Sequence, residues 1–312
     1  MNKHWSQIQE SGVLLGMRFM LFIYRYLGRG MFTIFLYPVI AYYFLTKKQA
    51  RNASIHFLKK IRAQGGISSA AHLPYWSFKH FLHFGDGLLD KLAVWVSDIG
   101  EHDIEFEQLD DFLRTVEKGS GALIISSHLG NQEICRALAN KNNNIKLNIL
   151  VHTKHAEKFN QLLGETNKNN HLNLLQVTDV SPATAIMLQD KLNAGEVVVI
   201  AGDRTPQHGE RMCTASFLGE PAYFPQGPYI LASVLCCPVY LLFSVKDKKG
   251  YRIFFEHFAD TISLNRKNRE AELSQRVQQF ADRLAHYTLR FPLQWNNFYD
   301  FWASASKHTD KK

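Results

Sequence analysis

His128 and Glu133 stand five residues apart at the end of an apolar run, Ala122-Leu-Ile-Ile-Ser-Ser-His128-Leu-Gly130-Asn131-Gln-Glu133. An imidazole beside a carboxylate is general-base chemistry, because the acid fixes the ring's orientation and tautomer and stabilises the imidazolium. On one continuous helix the two side chains would point about 140° apart, taking roughly 3.6 residues per turn. They meet only if His128 lies at a strand exit, Gly130 and Asn131 turn the chain, and Glu133 falls in the first turn of a helix. No serine sits in a GxSxG elbow and no cysteine lies in a nucleophile motif. Direct attack by a base-activated hydroxyl or amine on a thioester therefore fits better than a covalent acyl-enzyme.

The elements that must position this pair alternate in the manner of an α/β protein. Short β-type runs are Ile104 to Glu107, Ala122 to Ser126, Leu147 to Val151, Asn173 to Val177 and Val197 to Ala201. Helical patterns cover Leu109 to Glu117, about Asn131 to Asn140, Ala156 to Glu165, Ala183 to Asn193 and Glu270 to Tyr287. Ser181-Pro182 is an N-cap and first-turn pair, and Gly195 is a stop. Phe217-Leu-Gly219-Glu-Pro221 and Phe224-Pro-Gln-Gly227-Pro228 read as a turn-rich stretch before a helix or apolar run, Tyr229 to Cys237. Val239 to Ser244 and Tyr251 to Phe255 read as a late hairpin. The fold class is α/β, a mixed central sheet flanked by helices, with hydrophobic membrane-associating helices at the N-terminus. The organisation expected is a hydrophobic segment over 1–50, one domain over 51–303 with a helical lead-in 51–98 and an α/β core 99–303, and a disordered tail 304–312.

Val13 to Tyr24 and Met31 to Thr46 are apolar and aromatic, and Arg18, Arg25, Arg29, Lys47, Lys48 and Arg51 bracket them. Each falls short of the roughly 20 residues that span a bilayer, and Pro38 interrupts the second. They read as membrane-surface or re-entrant helices, or one tilted span, drawn to an anionic leaflet. The net charge of +8 permits an anionic partner. Nucleic acid is the least suitable, since no zinc-finger spacing, RNA-recognition signature or arginine-rich arm is present. Four cysteines, Cys135, Cys213, Cys236 and Cys237, form no CxxC pair and no zinc-ligand spacing with histidine, so buried free thiols and no metal are expected.

His128-x4-Glu133 resembles the HX4D/E motif of the lysophospholipid acyltransferase superfamily, and Ser-Ser-His-Leu-Gly-Asn-Gln-Glu is similar to its bacterial lipid A branch, the late lauroyl and myristoyl transferases. The likeness continues through Ala201-Gly-Asp203-Arg204, Phe217-x-Gly219, Pro225-x-Gly227-Pro228, Cys237-Pro238-Val239 and the closing Pro292-Leu-Gln-Trp295 with Phe298-Tyr-Asp-Phe-Trp302. The resemblance implies an acyl group moved from an acyl carrier protein or coenzyme A thioester to a lipid hydroxyl, at the cytoplasmic face of the inner membrane, with no bound cofactor. By the same resemblance His128 is the base and Glu133 its partner. Asn131, Asp203, Arg204, Gly219 and Gly227 are expected to shape or contact the substrate site. Arg204 suits a phosphate, with a salt bridge to Asp203 as the alternative. His152 and His155 could line the same cleft, and Lys154 and Lys158 could meet an acidic carrier protein. The third charged block of the lipid A enzymes is not closely reproduced by Gly202-Asp203-Arg204-Thr205-Pro206. Glycine transfer to lipid A, and acyl transfer in aryl polyene or ornithine-lipid synthesis, therefore stay open. So do a non-catalytic membrane or carrier adaptor, which the intact pair disfavours, and a thioesterase or lipase, which the missing serine elbow disfavours.

Overall fold

Runs such as Ala122-Leu-Ile-Ile and Val197-Val-Val-Ile are apolar at every position, which a strand tolerates only when both of its faces are covered. In the computed structural model both lie at the middle of a seven-stranded sheet. The structure describes residues 13–95, 103–135, 145–151, 172–176, 181–204 and 212–302. The expected helix Ala156 to Glu165, the continuation of the helix past Cys135, His152, Lys154, His155, Lys158 and the tail fall outside them.

The elements are α1 (Val13–Thr46), α2 (Lys48–Ala63), α3 (Leu73–Trp95), β1 (Ile104–Glu107), α4 (Leu109–Glu117), β2 (Ala122–Gly130), β3 (Leu147–Val151), β4 (Leu172–Gln176), α5 (Pro182–Asn193), β5 (Val197–Ala201), β6 (Met212–Phe217), β7 (Glu220–Pro225), α6 (Gly227–Leu235), β8 (Val239–Lys246), β9 (Tyr251–Ala259) and α7 (Arg269–Arg290). The sheet order is β1-β9-β8-β2-β5-β3-β4. It is mixed: β8 and β9 pair antiparallel, and the other neighbours are parallel. A separate hairpin, β6–β7, covers one side.

Alternate residues of each central strand feed different cores, as the two-residue period of a strand requires. Leu123, Ile125, Val198, Ile200, Leu241 and Phe243 pack with α2, α5, α6 and α7. Ala122, Ile124, Val197, Val199, Tyr240 and Leu242 pack with Leu109 and Phe112 of α4. Ser181 caps α5 through its hydroxyl, which accepts from the Thr184 N–H at 3.2 Å, as its position before Pro182 predicts.

Three local readings change. The two greasy segments form one helical element, broken at Gly28 (φ 78°, ψ 177°) rather than at Pro38. Glycine adopts that backbone without steric cost, whereas Pro38 is carried inside the helix. The turn-rich stretch around Gly219 is a hairpin, with Leu218 and Gly219 both at positive φ. Among the thiols Cys213 and Cys237 are buried but Cys236 is exposed, because it occupies the left-handed cap of α6.

Among the described residues no single helix is long and apolar enough to cross a membrane; one pair, Phe22–Thr46 with Lys48–Ala63, passes only together and is bent by 89°. One side of α1 packs Ile23, Tyr24, Phe32, Leu36 and Ile40 on Phe81, Leu89 and Ala93 of α3. Its other side exposes Phe22, Tyr26, Leu27, Ile34, Tyr42 and Leu45.

Gly130 closes β2 at φ 72°, and a Cβ added there would lie 1.6 Å from the Ser244 carbonyl oxygen. The strand end must therefore move to admit any side chain. Gly130→Ala is expected to cost at least about 2 kcal/mol of stability, measured by urea unfolding, since both the left-handed backbone and the close approach are violated.

Candidate active site

β2 and β5 run parallel in register from Ala122↔Val197 to Ser126↔Ala201, so both chains leave the sheet at the same edge. Carboxyl ends of parallel strands are where α/β folds gather chemistry. His128 emerges from one and Asp203 from the other. The pairing of β2 with β8 shifts register between Ser126 and Gly130, an irregularity of the kind that re-aims side chains. His128 sits inside it.

Where β2 leaves its neighbours, the segment after Pro292 takes their place. Gly130 N–H donates to the Gln294 carbonyl at 2.7 Å, and Asn296 N–H donates to the His128 carbonyl at 3.0 Å. Leu129 bridges Trp295 in antiparallel fashion, and the Asn296 side chain donates to the Gly130 carbonyl at 2.8 Å. The Gln294 side chain holds β8 in turn, accepting from the Lys246 N–H at 2.8 Å and donating to the Lys246 carbonyl at 2.6 Å. A strap from the far end of the described chain thus pairs with one edge of the histidine strand and ties it to β8.

The carboxylate bonded to the imidazole belongs to Asp203. Its Oδ1 accepts from His128 Nδ1 at 2.7 Å, and its Oδ2 accepts from the His128 backbone N–H at 2.7 Å and from Trp295 Nε1–H at 2.9 Å. This differs from the pairing that the sequence spacing suggests. Asp203, expected at the substrate, is bonded to the ring and backbone of His128, and the carboxylate at Nδ1 is therefore not the one five residues along the chain. Glu133 falls in the short 3₁₀ turn Gln132–Cys135, which begins immediately after Asn131; its side chain lies outside the described residues.

Asp203 is buried, and burial alone would raise its pKa. The charge and hydrogen bond of His128, the Arg204 guanidinium and the Trp295 N–H outweigh that, leaving Asp203 below the ordinary carboxylate value. Burial pushes the His128 imidazole below its ordinary value, and Arg204 pushes the same way; Asp203 opposes them by charge and hydrogen bond without cancelling them. The result is an ionised Asp203 and a neutral imidazole with its proton on Nδ1. Nε2 is left to take a proton, and 28% of the His128 side chain remains exposed.

Arg204 donates to the Asn296 carbonyl at 3.2 Å and lies over the Tyr299 ring, 5.4 Å from its centroid. Its neighbours in the expected site are placed variously. Asn131 is buried in the turn, its N–H bonded to the Ser244 carbonyl at 3.1 Å. Gly219 is the tip of the β6–β7 hairpin against Gln64, the residue that caps α2, and Gly227 is the first residue of α6. Phe217 of that hairpin packs its ring 5.2 Å from that of Trp295, so the hairpin supports the donor to Asp203. Among the described residues no group of three or more His, Cys, Asp or Glu is placed to hold a metal ion.

Sequence reasoning passed over His80. It is fully buried on α3, with Nε2 3.0 Å from the Trp295 carbonyl and Nδ1 3.0 Å from the Ser54 hydroxyl. A carbonyl only accepts, so Nε2 carries the proton and Nδ1 accepts from Ser54, which accepts from Ser77 at 2.9 Å. His80 thereby holds the residue that holds Asp203. No sequence signal distinguishes it from His83 or His72; only the spacing Trp76, His80 on one helix face pointed inward.

Burial lowers the His80 pKa from 6.5 to about 4, against a smaller opposing effect of the Trp295 carbonyl. The folded state therefore binds its proton less readily than the unfolded chain, and the stability is fully present above pH 6.5. As pH falls from 6.5 to about 4, roughly 3 kcal/mol of stability should be lost through this residue, because each tenfold difference in proton affinity between folded and unfolded chain is worth about 1.4 kcal/mol. Urea unfolding of wild type and His80→Gln across that range tests it: the variant should show the shallower pH dependence.

Residues 87–302, more than two thirds of the chain, match the family model described as bacterial lipid A biosynthesis acyltransferase. No curated protein matches the chain.

Proposed function

The chain belongs to the bacterial lipid A biosynthesis acyltransferase family and is an acyltransferase; on that premise we propose that His128 is its general base and Asp203 the acid that orients it. The observation that carries this reading is the neutral, partly exposed imidazole with Nδ1–H fixed on a buried, ionised carboxylate. An acceptor hydroxyl donates its proton to Nε2 as its oxygen attacks the thioester carbonyl. The tetrahedral intermediate then collapses, the C–S bond breaks, and the thiolate takes the proton back from the imidazolium. Asp203 remains ionised throughout and stabilises the imidazolium by charge. Arg204, beside the base, supplies positive charge for the developing oxyanion or for a substrate phosphate.

The donor we infer is an acyl carrier protein thioester, with acyl coenzyme A as the other source of the same bond. The acceptor is a lipid A hydroxyl. The exposed aromatic side of α1, with Arg25, Lys47 and Lys48 near its ends, would lie on the anionic cytoplasmic leaflet and bring the site to a lipid substrate. Glu133 follows the base in the turn Gln132–Cys135 and is the second acidic residue whose part in transfer is to be tested.

The test is transfer of label from acyl-carrier protein to a lipid extract. His128→Ala should lose at least about a thousandfold in kcat, and Asp203→Asn about 10²- to 10⁴-fold, because the amide favours the wrong tautomer. Wild-type-like turnover by either variant overturns the assignment. Glu133→Gln should lose less than Asp203→Asn; the reverse order would make Glu133 the principal acid. Lipid mass spectrometry of the product separates a fatty acyl increment from a glycyl one.

The pH dependence carries an independent sign. Activity needs neutral His128, so the rate should fall on the acid side through a pKa below the ordinary 6.5. Arg204→Gln removes a charge that lowers this pKa, and the acid limb of kcat/KM should move to higher pH. An unmoved limb would show that the titrating group is not His128.

A further inference from the structure

Asp90 on α3 is fully buried and takes no part in the chemistry above. Its Oδ1 accepts from Arg29 Nη2 at 2.7 Å, and its Oδ2 accepts from Lys246 Nζ at 2.5 Å and from the Tyr251 hydroxyl at 2.5 Å. A carboxylate removed from water must be compensated, and a charge cluster of this kind gains little over apolar packing of the same volume. What it adds is a defined arrangement of the elements that supply the charges.

Those elements are far apart in the chain. Arg29 is the residue after the break at Gly28 in α1. Lys246 ends β8 and Tyr251 begins β9. Around the carboxylate, Leu89 and Ala93 of α3 pack on Ile23, Phe32, Leu36 and Ile40, so Asp90 is the polar centre of the α1–α3 contact. On the other side the path to the base is short. The Gln294 side chain grips both backbone groups of Lys246, and the Gln294 carbonyl accepts the Gly130 N–H. The Ser244 carbonyl, two residues before Lys246, accepts the Asn131 N–H. The Asn131 side chain sits beside the Tyr251 hydroxyl. Arg29 lies outside the region matched by the family, and Asp90, Lys246 and Tyr251 lie inside it.

We propose that Asp90 is a positioning residue for acyl transfer: it fixes the half of the N-terminal helix that follows Gly28 to the turn that carries His128, so that the exposed aromatic face and the base keep one relative geometry. The proposal rests on the reading of His128 as base and of α1 as the membrane-facing element. Because Arg29 is half exposed and donates from the periphery, its loss leaves Asp90 still paired with Lys246 and Tyr251.

The full-length protein is assayed with an acyl-carrier thioester and acceptor lipid, presented either in anionic vesicles or dispersed in detergent. Arg29→Gln is expected to lower kcat about tenfold on vesicles and less than about threefold in detergent, with KM for the thioester unchanged within about twofold. Arg29→Lys should restore most of the vesicle rate. Tyr251→Phe, which cuts the connection on the side of the base, should lower kcat in both presentations with thermal stability nearly retained. Equal losses for Arg29→Gln in vesicles and detergent that track a lowered Tm would reduce the cluster to fold stability and overturn the proposal. Full vesicle activity of Arg29→Gln beside an inactive His128→Ala would overturn it alone, whereas turnover by His128→Ala would overturn the reading beneath it.

Discussion

The carboxylate of Asp203 is the constraint on which the site depends. Buried and ionised, it needs its hydrogen-bonding capacity filled, and the N–H groups that fill it come from His128, whose backbone and ring both donate, and from Trp295. A low-dielectric surrounding makes each bond strong and each vacancy costly. The ends of β2 and β5 and the strap after Pro292 are thereby drawn to one point. Everything else at the site supports one of these three arrivals. The β6–β7 hairpin and His80 support Trp295, the parallel register of β2 and β5 delivers His128 and Asp203 to the same edge, and Asn296 with Gln294 holds the outgoing strand.

Much of this fold was legible in the sequence because burial on both faces leaves an unmistakable apolar run. Ile104–Glu107, Leu109–Glu117, Leu147–Val151 and Val197–Ala201 coincide with the expected elements, and the late antiparallel pair and the Ser181-Pro182 cap were read from the same local chemistry. β2 does close at Gly130 with Asn131 in the turn, although the spacing argument for that turn assumed a His128–Glu133 pair. The partner of His128 was not legible in that way. A pair five residues apart announces itself, but a carboxylate 75 residues away is joined to the ring only by the register of two parallel strands. Asp203 was visible as a charged residue after a buried strand, and its role was not. His80 and Asp90 were invisible for the same reason: each is one polar residue on a helix, and what marks it is the company that folding brings.

The histidine is thus governed by opposing influences of similar kind. Partial enclosure and a neighbouring guanidinium favour the neutral ring, while the adjacent carboxylate favours the charged one. The role proposed for His128 calls for the first in its resting state and for the second once the ring has taken a proton. The arrangement provides both without moving any residue, because Asp203 is held in place by the backbone and by Trp295 independently of the ring.

The strap also orders events in time. Of the described elements the N-terminal helix is the first to be synthesised, and the segment from Pro292 to Trp302 is the last. Until Trp295 leaves the ribosome, Asp203 lacks its indole donor and β2 ends on unpaired backbone groups. A growing chain therefore carries the exposed aromatic side of its N-terminal helix long before the bonds around His128 and Asp203 can be complete, and their completion is the closing step of folding.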